Sequence, residues 1–79
     1  MTIILRNPFI TKAQKEAGCL YLRCASDLMQ TADILRKDGK AEYAEVAYKA
    51  TIMWNKAAKT LGFMSIKDLD AWIKSGKEL

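Results

Sequence analysis

Cys19 and Cys24 are the only thiols in a 79-residue chain that contains no histidine, so thiol and metal chemistry must start from them. Five positions on a helix set two side chains about 140° apart, so the two cannot bridge to each other while the helix is intact. With no histidine and no third thiol, one chain cannot build a Cys/His metal site. Both cysteines read as reduced, small, core-type residues; an intermolecular disulfide or a redox sensor is the other use open to them. The carboxylates offer no catalytic pair. Asp68 and Asp70 are two apart and point to different sides of a helix, while Glu42 and Glu45 share a face with Lys49, the pattern of a surface ion pair. No glycine-rich phosphate loop, G-x-S-x-G elbow or H-E-x-x-H run occurs, which removes the common nucleotide, hydrolase and zinc-protease designs. The expectation is a non-enzymatic protein with no catalytic residue, no cofactor and no metal.

What remains are apolar faces and charge, and helices must position both. Thirteen basic and nine acidic residues give a net charge of +4. The signs are interspersed, as in Lys12, Lys15, Glu16 and Lys40, Glu42, Glu45, Lys49, which reads as solvated helix faces or, alternatively, as a contact for DNA or an acidic patch. A chain this short sits near the lower limit of what one core can stabilise, so a third helix, a partner or self-association is expected. Residues 1–10 lack the charged start, apolar centre and small-residue cleavage site of a signal peptide, and no stretch approaches the ~20 apolar residues of a membrane span. The expected compartment is the cytoplasm.

The chain divides into an extended segment at 1–10 and a single helical domain at 11–79. Thr2 to Leu5 is a β-branched and aliphatic run ending at Arg6-Asn7-Pro8, where proline disfavours helix in the residue before it. This run either pairs with its counterpart in another subunit or forms a tail with Phe9 and Ile10 tucked onto the helices. Thr11 to Gln14 is a helix start with the capping-box pattern. The first helix then carries a stripe of Ala17, Tyr21, Cys24, Leu28, Thr31 and Leu35, widened by Leu20, Ala25 and Ala32. Its spacings alternate four and three, the seam of an antiparallel helix pair, and its small residues permit close approach. Gly18 costs about 1 kcal/mol against alanine inside a helix, so a bend or break near the start is expected. Leu22 and Met29 fall off this stripe and read as a second, partner-binding edge.

Asp38-Gly39 ends the first helix, glycine taking the left-handed position. A second helix from about Ala41 to Leu61 presents Tyr43, Ala47, Ala50, Trp54, Ala57 and Leu61, with Val46 and Met53 beside them and Tyr48 and Ile52 on another flank. Ser65 to Asp68 starts a short third helix whose Ile66, Leu69, Trp72 and Ile73 share one side. It either lies as a lid on the hairpin or offers Trp72 as a docking anchor. The fold expected is all-α: a helical hairpin plus a short C-terminal amphipathic helix, completed by dimerisation, because the hairpin leaves one apolar flank of each helix uncovered.

Leu35, Gly39, Tyr43 and Ala47 resemble one helix-turn-helix of a tetratricopeptide repeat, although one copy cannot stabilise an array. Gly39, Tyr43, Ala47, Trp54, Ala57, Ala58 and Trp72 resemble the AraC-negative-regulator (ANR) family of small enterobacterial virulence regulators. That resemblance implies a small regulator that binds an AraC-type transcription factor or a nucleoid protein. The docking edge would be Tyr48, Ile52 and Trp72, with Leu22 and Met29, and Arg36, Lys37 and Lys40 would supply orientation and on-rate. Two rival readings are a weakly sequence-specific DNA-binding dimer, using Lys56, Lys59, Lys74 and Lys77 on phosphates with Asn55 alone suited to base edges, and a phage- or plasmid-encoded inhibitor of a host protein.

Overall fold

The computed structural model describes residues 4–79. Three helices follow one another: α1 over Lys12–Lys37, α2 over Tyr43–Thr60 and α3 over Ile66–Lys74. Each start and stop has a local cause. At Thr11 the hydroxyl accepts from the Gln14 amide at 3.0 Å, and the Gln14 side chain accepts from the Thr11 amide at 2.8 Å, closing the capping box. Ser65 caps α3 by accepting from the Asp68 amide at 3.4 Å. The glycines after the three helices, Gly39, Gly62 and Gly76, all have positive φ, which lets the chain turn out of each helix without a steric penalty.

Helices α1 and α2 form an antiparallel hairpin, and α3 packs back on α2. Along α1 the buried line is Gly18, Ala25 and Ala32, each seven residues from the next, with half-buried Leu22 and Met29 between them. On α2 the buried residues are Ala50, Ala57 and Ala58. Two heptad-spaced lines of small residues let the backbones approach closely, and at Gly18 there is no room to spare. A Cβ there would lie 2.5 Å from Cγ of the fully buried Leu61. Gly18 therefore neither breaks nor interrupts α1, contrary to the bend expected from helix propensity; it is the notch that seats Leu61.

The stripe assigned to α1 from its apolar spacing is consequently rotated. Ala17, Cys24 and Thr31 are exposed, Tyr21 is 36% exposed and Leu28 and Leu35 are half-buried; of the residues expected to widen the seam, Ala25 and Ala32 are buried and Leu20 is 67% exposed. Two registers of α1 have the same alternating spacing, and closeness of approach selects the one with the smaller side chains rather than the more apolar one. The α2 stripe is as expected except at its first member: Ala50, Ala57 and Leu61 are buried and Ala47, Val46, Met53 and Trp54 half-buried, whereas Tyr43 is exposed.

The bulky part of the core lies at one end, where Leu61, Phe63 and Leu69 are buried with Ala57 and Ala58. The N-terminal segment is fastened to this end. Asn7 donates its amide to the Gly62 carbonyl at 2.7 Å, Arg6 and Phe63 form an isolated antiparallel bridge, and Ile4 packs on the core. Of the expected tail contacts, Ile10 is half-buried, but Phe9 is 88% exposed and is not tucked in. Thr2 and Ile3 of the β-branched run lie outside the described residues. No described helix is long and apolar enough to cross a membrane.

Candidate functional site

Three residues around the α2–α3 junction show how the short third helix is held. Phe63 and Trp72 meet edge to face, their ring centroids 5.6 Å apart. The Arg6 guanidinium lies 4.8 Å from the centroids of both rings and donates to the main-chain oxygens of Leu61, at 2.9 Å, and Leu79, at 2.7 Å. A cation over an aromatic face is attracted by the ring quadrupole, so one arginine joins the extended segment, the end of α2, α3 and the residues after it. Trp72 also donates its indole N–H to the Glu78 carbonyl at 2.9 Å and carries the Lys77 ammonium over its ring at 4.8 Å. Half-buried and packed on the core, Trp72 is a fastening of the lid and not an exposed docking anchor.

With α3 held in this way, a groove of about 360 Å³ opens between the three helices. Leu22, Met29 and Gln30 of α1, Trp54 of α2 and Ile73 of α3 line it, with Ser26 and Asp33 of α1. Ile73 is 42% exposed. The Trp54 Nε1 atom is buried and finds no acceptor among the described residues. A donor withdrawn from water without a partner costs about 1–3 kcal/mol, and because Nε1 is closed off from solvent the groove presents the ring of Trp54 rather than this donor.

The sequence-derived docking residues thus fall in three places. Leu22 and Met29 line the groove; Trp72 is in the fastening cluster; Tyr48, 68% exposed, and the half-buried Ile52 lie one turn apart on the α2 surface turned away from the helix seam. Arg36, Lys37 and Lys40 are all exposed at the hairpin turn. Arg36 pairs with Asp33 at 3.5 Å, and Asp33 is itself at the edge of the groove, so this charge borders the site. Trp54 and Ile73 were legible only as stripe residues, and Arg6 carried no signal beyond standing next to an Asn-Pro turn.

The thiols separate as well. Cys19 is half-buried and packed on the core, whereas Cys24 is exposed, which corrects the core reading for the second cysteine. Cys19 and Leu20 also sit in a broader depression on α1, of about 680 Å³, walled by Lys12, Lys15, Glu16 and Arg23. Its walls are long charged side chains of a single helix, without the convergent polar groups from several elements that fix a ligand. Among the described residues no three carboxylate, thiol or imidazole groups cluster as metal ligands would.

Comparison with known proteins found no matching family model, no similar characterised protein and no similar solved structure.

Proposed function

We propose that this chain is a small non-enzymatic regulatory protein that works by docking, taking an apolar segment of a partner protein into the groove between Leu22, Met29, Trp54 and Ile73. The groove itself is the observation that carries this reading: Leu22, Met29, Trp54 and Ile73, drawn from all three helices, line one apolar cleft in which Ile73 is 42% exposed. Apolar walls supply binding energy, and Ser26, Gln30 and Asp33, which also line the groove, supply polar groups that orient a bound segment, the combination that distinguishes a recognition site from bare hydrophobic surface. The Arg36–Asp33 pair and the exposed Lys37 and Lys40 at the turn would act on encounter rate and orientation rather than on affinity. The sequence resemblance to the AraC-negative regulators supports an AraC-type transcription factor or a nucleoid protein in the cytoplasm as that partner.

Tagged chain and its Ile73→Glu variant are used to capture proteins from the source lysate at low and high salt, with and without nuclease. The expected result is a transcription factor or nucleoid protein retained by the unmodified chain at high salt after nuclease and lost by the variant. A signal removed by salt and nuclease would instead assign the lysines to nucleic acid, whose binding is dominated by counterion release.

A further inference from the structure

The second face of the hairpin carries an assignment independent of the groove. Helical spacing places Ala17, Tyr21, Cys24, Leu28, Thr31 and Leu35 on one flank of α1, and Val46, Met53 and Thr60 on the matching flank of α2. This flank is turned away from the one that carries Leu22, Met29 and Trp54, and none of its members is buried: each is exposed or half-buried. It therefore has the spacing of a helix seam without a helix against it. Helix α1 has two such seams, one used inside the chain and one left open, as a central helix of a four-helix bundle has.

We propose that a second copy of this chain covers this open flank, forming a two-fold antiparallel four-helix bundle. Two observations select a second copy rather than another occupant. The first is area. The chain exposes 5863 Å², roughly 1,000 Å² more than the surface scaling for a compact monomer of 8.9 kDa gives, and a stable interface takes about 800 Å² from each partner. Its radius of gyration of 13.9 Å likewise exceeds the value of about 11.6 Å expected for a globular domain of this length. The second is charge. Asp27 borders the open flank on α1, and Lys56 and Lys49 border it on α2; Lys49 already pairs with Glu45 at 3.4 Å, while Asp27 and Lys56 make no ion pair among the described residues. The Gly18–Leu61 contact fixes the antiparallel register and sets Asp27 at the height between Lys49 and Lys56, on the opposite edge of the flank. A two-fold axis parallel to the helices lays α1 of one copy over α2 of the other. Each Asp27 then falls between Lys49 and Lys56 of the second copy, twice per dimer.

Sedimentation equilibrium on the full chain tests this. The unmodified chain is expected to dimerise with a Kd of about micromolar or tighter. Asp27→Lys and Lys56→Glu should each weaken self-association by at least about tenfold through like-charge contact, with helicity by circular dichroism unchanged. Mixed together, the two variants should form a heterodimer, because both symmetry-related contacts then pair opposite charges. Cys24→Glu, a charge placed at an exposed position in the middle of the flank, should give a folded monomer. A chain that stays monomeric at roughly a hundred times that Kd, or reversed variants that fail to restore each other, would overturn the proposal.

Discussion

At the end of the hairpin where α1 begins and α2 finishes, Leu61 and Leu69 are fully buried, Phe63 nearly so, and Arg6 ties two chain segments to an aromatic pair. At the opposite end, the Asp38–Lys40 turn is exposed, Tyr43 is 40% exposed and Ile34 68%, and the buried groups nearest to it along the chain are the alanines Ala32 and Ala50. One chain thus has a closed end held by large buried side chains and an open end held by buried alanines and the half-buried Leu35, Val46 and Ala47. A three-carbon or four-carbon side chain must displace water from its own surface to stabilise anything, and the open end offers few such groups. The difference predicts that stability is concentrated within one third of the molecule, while the charged turn and the adjoining end of the groove remain free to meet a partner.

The largest effect should come from removing Leu61, which fills the notch at Gly18. Leu61→Ala creates a cavity at the centre of the closed end and should cost about 4 kcal/mol. A chain of this size has only about 4–12 kcal/mol in total, so urea denaturation should show a folded variant whose midpoint is lowered by about a third or more of the parent's value. Gly62 and Gly39 make the sharpest comparison of the two ends because their backbones are alike, with φ of 89° and 74°. At Gly62 a Cβ would meet the Asn7 carbonyl oxygen at 2.7 Å, whereas at Gly39 nothing lies within 4 Å. Gly62→Ala should therefore cost about 3 kcal/mol, conformational strain plus a clash with main chain, and Gly39→Ala only the strain, about 1 kcal/mol. Equal losses in chemical denaturation would mean that the N-terminal segment is not seated on the loop.

Gly18→Ala is predicted to lie between these, at about 2 kcal/mol, since overpacking against Leu61 outweighs the gain in helix propensity of about 1 kcal/mol. In the Leu61→Ala background the same substitution should change sign and stabilise, because the added methyl then enters a cavity. That reversal, read from a double-mutant cycle, separates a packing role for Gly18 from a flexibility role, which would leave the sign unchanged.

The helix boundaries were legible in the sequence because they are local events. Thr11 with Gln14, Asp38 with Gly39, Ser65 with Asp68 and Gly76 each act within four residues, and all four work in the structure as their types require. The seam of α2 was legible because, Ile52 apart, its larger apolar residues Val46, Met53 and Trp54 lie on the same side as the buried Ala50 and Ala57. In α1 the larger residues of the stripe do not. Tyr21, Leu28 and Leu35 are larger than Gly18, Ala25 and Ala32, and Leu28 and Leu35 more apolar, yet the hairpin centres on the smaller set, of which the apolar spacing marks only Ala25 and Ala32, as the margin of the seam. A close helix pair is limited by side-chain volume before it is limited by polarity. The groove was half visible for the same reason: Leu22 and Met29 stood out as off-stripe residues, but the partners that complete the site, Trp54 and Ile73, are brought to them only by the placement of α3. Arg6 is a long-range bond to residues up to 73 positions away, and nothing within its own neighbourhood announces it.

The smallest structural effect is expected at Tyr48, and that makes it the cleanest probe of docking. With 68% of its surface exposed and no hydrogen bond or ring contact among the described residues, Tyr48→Ala should change unfolding free energy by no more than about 0.5 kcal/mol. Trp72→Ala, by contrast, removes an edge-to-face contact with Phe63, a ring beneath Arg6 and an indole bond to Glu78, so a loss of partner capture in that variant would report a loosened α3 and not a lost contact. Tyr48→Ala allows no such confusion. If capture persists in a variant whose melting curve matches the parent, the α2 outer surface is not part of the docking site and the groove beneath α3 carries the contact by itself. If capture falls while the melt is unchanged, the partner reaches around α2 from the groove to Tyr48 and Ile52, and the site is wider than the three-helix cleft.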